Sequence, residues 1–511
     1  MKGFQVKRKG GWDTHGLPVE LGVEKELGIT KEDIGKKISV EEYNQKCREA
    51  VLRYKDKWDD LTRKMGYWVD LNDPYITFKN EYIETLWWLL KQLYEKGLLY
   101  ESVSIQPYSP AAGTGLSSHE LNQPGTYKDV KDTSVVAMFK VIPSTKSSFL
   151  FTASAQGLPP LNDFKEIFFL AWTTTPWTLL SNLGLTVGAN IDYWLVRTIN
   201  PATKKECYVI LAKNLFSKYF SFEKRVGLDT SNELFVGDYS TTYGQYITQA
   251  DIDPEEFETL DNEAYFDKKR NRVIFWKILA EFKGKKLEGI SYEQLLPYEA
   301  NKTDNPNAFK ILLGDFVTTE DGTGIVHTAP AFGADDFRVG KKYDIGILTM
   351  VDKQGKFIDG LGEFSNRYVK NYKDDPNYVD VNVDISVKLK KENRAFKVEK
   401  YEHSYPHCWR TDKPVLYYPL DAWFIKTTAI RERMVELNKT INWKPKSTGE
   451  GRFGNWLENM VDWNLSRSRF WGTPLPIWRT EDEQEEKCIG SIEELNTEIG
   501  KANQKLGGDV N

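Results

Sequence analysis

Apolar side chains recur at helical spacing in two early segments. Residues 39–66 keep this spacing, with Ser39 and Glu42 placed for a capping box and Gly66 placed as a stop. Residues 80–96 keep it as well. Both segments predict helices whose apolar stripes belong to a core.

The pattern changes between residues 133 and 387, where short apolar runs alternate with turns and long helical patterns are few. Runs of this kind cover 135–141, 194–197, 208–211 and 273–278. They predict a β-rich domain. The acidic stretch 251–258 predicts a solvated loop.

The flanking regions predict α/β structure. Segment 5–9 predicts a strand that ends in a glycine-rich loop with Asp13 and His15, as at the carboxyl edge of a parallel sheet. On the other side, residues 409–426 alternate strand and turn, and a helix opens at Gly451. We therefore divide the chain into segments 1–132, 133–387 and 388–511.

A threonine-rich peptide follows the apolar strand predicted over 167–171. Thr173, Thr174 and Thr175 leave this strand, and Pro176, which cannot donate to a sheet ladder, stops it. The pattern predicts a rigid rim of hydroxyls and amides suited to a polar ligand. Strand propensity of threonine is the simpler explanation of this peptide taken alone.

Residues 321–337 combine a turn, a short strand, a proline break and a helix opened by acids. Asp335 or Asp336 falls near the helix N-terminus, which favours an ionised carboxylate able to bind an ammonium group. Taken singly, a structural histidine explains His327 and a helix cap explains Asp336.

Composition limits the classes of function. The chain has 511 residues with 40% hydrophobic and 28% charged content, and its net charge is −5. No global basic field for nucleic acid is present, and no apolar run reaches the length of a membrane span. Four scattered cysteines favour a reducing cytoplasm over a disulfide framework.

Four stretches together resemble the class I aminoacyl-tRNA synthetases, and within that class the isoleucyl-tRNA synthetases. They are residues 11–18, residues 172–178 with Asn182, residues 322–337 and residues 466–472. Their order matches the family, and residues 451–456 and 464–471 are more similar to the isoleucyl than to the valyl members. The resemblance covers essentially the whole chain.

The resemblance implies an α/β fold in which a Rossmann-type catalytic domain is interrupted by a β-rich inserted editing domain. Segment 133–387 would be the editing domain, and segments 1–132 and 388–511 would be the catalytic halves with the insertion stalk. The family's H-I-G-H and K-M-S-K-S signatures are not found in the sequence. We therefore expect a catalytic domain incomplete at both ends that does not activate isoleucine alone.

The resemblance also implies roles in hydrolysing valyl-tRNA(Ile), with no cofactor. Asp336 would hold the α-ammonium, and His327 would narrow the pocket against isoleucine. Thr173, Thr174 and Thr175 would line the pocket and fix the terminal adenosine or the attacking water. Asn182 would orient the reacting end.

In the synthetic site of the family, Asp13 would bind the amino group of isoleucine and Trp471 would pack against its side chain, with Trp12 and His15 supporting the loop. The full enzyme would use ATP with Mg²⁺. Expected partners are the acceptor end of tRNA(Ile), isoleucine, valine and ATP, with no membrane. A cytoplasmic monomer is expected.

Relatives can carry two C-x-x-C pairs that bind a structural zinc. The matching positions here are Ser109, Ala112, Cys408 and Thr411. One thiolate remains where a closed zinc site needs four good ligands, although His403 and His407 lie nearby in sequence. We predict that zinc is not bound.

Two other hypotheses stay open on the sequence. A fragment of valyl-tRNA synthetase would reject threonine rather than valine. A non-catalytic tRNA-binding module would keep the insertion only as a scaffold.

Overall fold

The computed structural model describes residues 3–152, 166–203, 205–220, 225–228, 234–237, 244–246, 264–267 and 272–507. The chain divides into two compact units. The first unit contains residues 1–104, 112–115 and 420–511, and the second contains 105–111 and 116–419. The acidic stretch 251–258 lies outside the described residues, and the predicted boundaries after residues 132 and 387 stay predictions.

The first unit begins with a parallel pair of strands, Lys9–Trp12 and Asp70–Ile76. The predicted strand over 5–9 is therefore placed too early, because the chain stays extended through two glycines. At Gly11 a Cβ would lie 2.2 Å from the ring of Tyr75, so any larger residue would have to displace that ring. Asp13 and His15 follow at the carboxyl end of a parallel strand, as predicted.

Helices make up much of the rest of the first unit. Their bounds are Leu17–Leu27, Val40–Leu52, Lys55–Lys64, Asn80–Glu95, Arg431–Lys439, Lys446–Glu450, Arg452–Glu458 and Ile492–Leu506. Short strands lie at Thr114–Gly115, Trp463–Asn464, Ile477–Arg479 and Glu486–Cys488. Two longer strands, Leu99–Ser109 and Leu416–Ile425, carry the chain between the units.

The single helix predicted over 39–66 is wrong, because the structure has two helices that are interrupted at Arg53 and Tyr54. Ser39 caps the first through its side chain, which accepts from the backbone N–H of Glu42, as predicted. Tyr43 and Cys47 are buried, but Trp58 is 57% exposed. Since the interruption changes the direction of the apolar stripe, its second half does not belong to the core.

In the second unit, the described residues form a seven-stranded sheet. Its strands, in spatial order, are Ala264–Asp267, Arg272–Lys283, Asp192–Ile199, Glu206–Ala212, Ile167–Thr173, Tyr127–Lys140 and Ala395–Pro406. Pairing is antiparallel except between Ile167–Thr173 and Glu206–Ala212, which run parallel. Alternate apolar side chains such as Met138, Leu170 and Val209 form one buried core. The predicted β-rich character is confirmed.

A smaller mixed sheet positions segment 321–337, which contains His327 and Asp336. Its middle strand, Gly184–Val187, pairs parallel with Lys310–Leu313 and antiparallel with Ile325–Thr328. The helix Ala334–Tyr343 follows after the predicted proline break. This arrangement places His327 opposite Leu185.

The second unit also contains three short antiparallel strands, Arg225–Leu228, Leu234–Gly237 and Gly244–Tyr246. Further helices are Ser118–Leu121, Ser148–Thr152 and Val381–Lys391. Within the described ranges, no helix is both long and apolar enough to span a membrane. All four cysteines are buried and free.

Candidate functional site in the second unit and a second cluster in the first

The threonine-rich peptide forms a hydroxyl cluster at a strand end. The strand Ile167–Thr173 ends at the first of these threonines, and a 3₁₀ turn, Pro176–Ser181, follows. Thr173 Oγ1 accepts from the backbone N–H of Thr175 at 3.0 Å and lies 3.2 Å from Thr175 Oγ1. The predicted rim of hydroxyls at the strand end is confirmed.

The cluster continues to the histidine of the smaller sheet. His327 Nε2 lies 2.8 Å from Thr178 Oγ1, and this hydroxyl donates to the carbonyl of Thr175 at 2.8 Å. A residue on one sheet is thereby tied to the peptide that leaves the other. Thr178 was not among the predicted site residues, although it ends the same stretch.

Asn182 lies within hydrogen-bond distance of the other ring nitrogen of this histidine, Nδ1. Its amide nitrogen lies 2.8 Å from the carbonyl of Gly184 and 3.0 Å from His327 Nδ1. Because a carbonyl only accepts, the amide N–H₂ must face Gly184, and its second hydrogen then points to Nδ1. The neutral imidazole therefore carries its proton on Nε2 and donates it to Thr178.

Burial lowers the pKa of His327 to about 4. The imidazole is consequently neutral near pH 7, and hydrogen bonds within the protein use both of its nitrogens. Neither nitrogen is free to accept a proton from a ligand.

Asp336 lies in the first turn of the helix Ala334–Tyr343, as predicted. Burial raises its pKa to about 7, and the neighbouring Asp335 adds to this rise, while a hydrogen bond from the backbone N–H of Ala329 at 3.1 Å opposes it. The carboxyl group of Asp336 is thus partly neutral in the unliganded site, because desolvation outweighs the hydrogen bond from Ala329. A cationic ligand would restore the charge.

The structure joins most of the predicted editing residues. Thr173, Thr175, Asn182 and His327 belong to one hydrogen-bonded network, and Asp336 binds the backbone two residues beyond His327. Thr174 is half-buried, and its hydroxyl has no hydrogen-bond partner among the described residues.

The amide of Asn182 is fully engaged within the protein. It is buried, and both its oxygen and its nitrogen form hydrogen bonds. These hydrogen bonds join the residue to His327, and its role in orienting the reacting end stays a prediction. Sequence reasoning also missed Tyr292, whose hydroxyl donates to Asn182 Oδ1 at 2.6 Å. It lies 110 positions away, and no local pattern marks it.

A second cluster lies at the end of the parallel pair in the first unit. Trp471 is buried, and its indole Nε1 donates to the carbonyl of Thr14 at 2.7 Å. Its ring centroid lies 5.3 Å from that of His15 and 5.9 Å from that of Phe78. Asp13 is exposed, with no hydrogen-bond partner among the described residues.

Two further residues stabilise this second cluster. Buried Glu20 accepts from the backbone N–H groups of Phe470 and Trp471, each at 2.9 Å, through one carboxylate oxygen. Thr77 Oγ1 lies 2.8 Å from Thr14 Oγ1 and 3.2 Å from His15 Nδ1.

Two more features complete the electrostatics and packing of this cluster. Burial lowers the pKa of His15, and Asp13 partly opposes this effect. Trp12 is half-buried, and the ammonium of Lys55 lies 5.8 Å from its ring centroid.

The stalk positions do not assemble a metal site in the part of the chain that the structure describes, which holds no group of three or more His, Cys, Asp or Glu side chains placed for a metal. His407 Nδ1 binds the carbonyl of Tyr405 at 2.9 Å, and His403 Nε2 lies 3.1 Å from Asp132. The absence of bound zinc stays a prediction.

Comparison with known proteins identifies the family. A model for class I tRNA synthetases (I, L, M and V) matches residues 1–507. An isoleucine--tRNA ligase of Cytophaga hutchinsonii is 60% identical over 530 residues, covering 99% of this chain and 43% of that protein. One from Bacteroides fragilis is 53% identical over 534 residues, covering 98% of this chain and 42% of that protein.

The chain thus spans about two fifths of the length of these relatives. The crystal structure of GlLeuRS-CP1 aligns with a TM-score of 0.32 and 12% identity over 52% of this chain and 99% of that one, too weakly to bear on the fold. Because the family model matches nearly all of its residues, the chain belongs to the class I tRNA synthetase family of isoleucyl, leucyl, methionyl and valyl enzymes.

Proposed function

We propose that this chain is part of an isoleucine--tRNA ligase and that its second unit hydrolyses valyl-tRNA(Ile). The observation that carries the proposal is the network joining Thr173, Thr175, Thr178, His327 and Asn182, with Asp336 beside it. A second site is chemically necessary, since one methylene is worth only about 1–3 kcal/mol of discrimination in a synthetic pocket.

Asp336 recognises the α-ammonium of the substrate. Its half-buried carboxyl group, with a pKa of about 7, gains a strong electrostatic contact when a cation arrives. The neutral His327 beside it adds no positive charge to repel that cation. Its ring carbons form a rigid wall that excludes the larger isoleucine side chain by shape.

Thr174 and Thr175 supply the polar contacts. The hydroxyl of Thr174 is free for the terminal adenosine or for the attacking water, while Thr175 is held in place by Thr173 and Thr178. Rigid placement of these groups avoids the entropic cost of ordering them during the reaction.

The reaction is ester hydrolysis. Water adds to the ester carbonyl carbon, the bond to the ribose oxygen breaks, and the products are valine and tRNA with a free ribose hydroxyl. Because an aminoacyl ester is already activated, a positioned water and electrostatic stabilisation suffice without a nucleophilic side chain.

The first unit contributes the residues that bind the amino acid in the synthetic site. Asp13 binds the amino group of isoleucine and Trp471 packs against its side chain, while Trp12 and His15 support the loop. The family uses ATP with Mg²⁺. The described residues offer no cluster of ligands that fits a metal ion, so no step here is assigned to one.

The test is deacylation of valyl-tRNA(Ile) by the purified 511-residue chain, with isoleucyl-tRNA(Ile) and threonyl-tRNA(Val) as comparison substrates. We expect selective hydrolysis of the valyl ester. Asp336→Ala and Thr175→Ala should lower the rate by at least about tenfold, the effect of one lost contact of ~1.4 kcal/mol, with little change in tRNA binding. Asp335→Asn, on the exposed neighbour, is the matched control and should not lower the rate, because it leaves the carboxyl group of Asp336 in place.

Three results would contradict the proposal. Selective hydrolysis of the threonyl ester would indicate the valyl branch of the family. Binding of tRNA without hydrolysis by the folded chain would indicate a non-catalytic module. Full activity in both site variants would show that the site is assigned to the wrong residues.

A further inference from the structure

Tyr292 is a fully buried tyrosine that the proposed chemistry does not use. Its hydroxyl donates to Asn182 Oδ1 at 2.6 Å. The ring packs edge-on against Phe139 with centroids 5.3 Å apart, and the backbone N–H donates to the carbonyl of Phe309 at 2.9 Å. These contacts fix the hydroxyl against the amide oxygen of Asn182.

Asn182 is thereby held at both ends. Tyr292 supplies the donor that the amide oxygen requires, and the carbonyl of Gly184 supplies the acceptor for one amide hydrogen. For the second amide hydrogen, His327 Nδ1 at 3.0 Å is a nearer acceptor than the carbonyl of Thr328 at 3.5 Å. Tyr292, Asn182 and His327 thus form a chain of hydrogen bonds, in which the donor and acceptor of each bond are set by the bond before it.

We propose that Tyr292 is a positioning residue, which acts through Asn182 to keep the proton of His327 on Nε2 and the imidazole against Thr178. The consequence for substrate selectivity rests on the proposed editing function. The consequence for the tautomer does not.

Loss of the Tyr292 hydroxyl would remove one of the two hydrogen bonds that fix the orientation of the Asn182 amide. In Tyr292→Phe the amide oxygen of Asn182 becomes a buried acceptor without a donor, which is unfavourable. Rotation of the amide relieves this oxygen but breaks the bond to the carbonyl of Gly184, so both orientations should be populated. The Nδ1–H of the other imidazole tautomer can donate to the rotated oxygen, and Thr178 can then donate to the freed Nε2.

Tyr193 offers a matched control in the same unit. It is also fully buried, and its hydroxyl donates to the carbonyl of Gly324 at 2.6 Å and accepts from the backbone N–H of Gly188 at 3.1 Å. Tyr193→Phe therefore removes an equally buried hydroxyl without touching Asn182 or His327.

The experiment records ¹⁵N spectra of the chain labelled at its five histidines, with His327→Gln to assign the His327 signals. We expect a protonated Nε2 and an unprotonated Nδ1 in the wild type and in Tyr193→Phe. In Tyr292→Phe we expect a substantial population with the proton on Nδ1. The preference for valyl over isoleucyl ester should fall about tenfold in that variant, corresponding to ~1.4 kcal/mol.

The wild-type spectrum is a direct test even when a variant does not fold, because a proton on Nδ1 there would overturn the proposal. An unchanged spectrum in Tyr292→Phe, or an equal change in Tyr193→Phe, would overturn it as well. Unchanged ester selectivity despite the new tautomer would remove the link to the pocket. If the tautomer changes as expected but the wild-type chain hydrolyses no ester, the editing function fails and the positioning role of Tyr292 stands.

Discussion

His327 lies in a part of the second unit where burial lowers its pKa to about 4, against about 6.5 for an exposed histidine. Between these values the unfolded chain binds more protons than the folded chain. The contribution of His327 to stability is therefore present above pH 6.5 and is lost as the pH falls toward 4.

We predict that His327→Gln removes this pH dependence. The free energy of unfolding of the wild type relative to the variant should decline by about 3 kcal/mol between pH 7 and pH 4. Denaturant titration at several pH values measures it, and the comparison cancels groups that titrate in both proteins. Parallel profiles would show that His327 titrates normally.

Asp336 has the opposite shift, since burial raises its pKa to about 7 and leaves the carboxyl group partly neutral at neutral pH. If the carboxylate binds the substrate ammonium, kcat/KM for the valyl ester should fall as the pH drops below about 7, because this ratio reports the free enzyme. Asp335→Asn should move the midpoint to lower pH, since Asp335 raises the pKa of Asp336. A midpoint unaffected by Asp335→Asn would assign the titration to another group.

At the scale of elements, one carboxylate joins the helix Leu17–Leu27 to the segment that carries Trp471. Glu20→Ala leaves one buried and one partly buried backbone N–H group without an acceptor and should destabilise the first unit by about 2–4 kcal/mol. Glu20→Gln keeps an acceptor oxygen and should cost less. Amide hydrogen exchange at Phe470 and Trp471 should accelerate far more in the alanine variant than in the glutamine variant.

Equal exchange rates in the two variants of Glu20 would show that the carboxylate does not hold this segment.

Local sequence patterns miss the point at which one helix ends and the next begins. The apolar spacing over 39–66 is continuous, yet the helix stops near Arg53, and Trp58 beyond it is exposed. Periodicity describes one straight helix and contains no information about where the chain turns.

At the scale of the whole molecule, the two compact units predict two cooperative unfolding transitions in calorimetry. Glu20→Ala should lower the midpoint of one transition. Leu185→Ala truncates a fully buried side chain in the smaller sheet of the second unit. It should lower the midpoint of the other transition, through a loss of about 2–5 kcal/mol in unfolding free energy. A single transition that both substitutions shift would show that the units unfold together.

The sequence by itself determined the strand before Thr173, the helix that contains Asp336, the β-rich middle of the chain and the family. These rest on local signals, namely apolar period, proline breaks and short motifs, which neighbouring residues carry together. Only the tertiary structure decided that His327 is buried and neutral, and that hydrogen bonds join it to Asn182 and Asn182 to Tyr292. Those properties arise from burial and from hydrogen bonds between residues 110 to 149 positions apart, which no local pattern encodes.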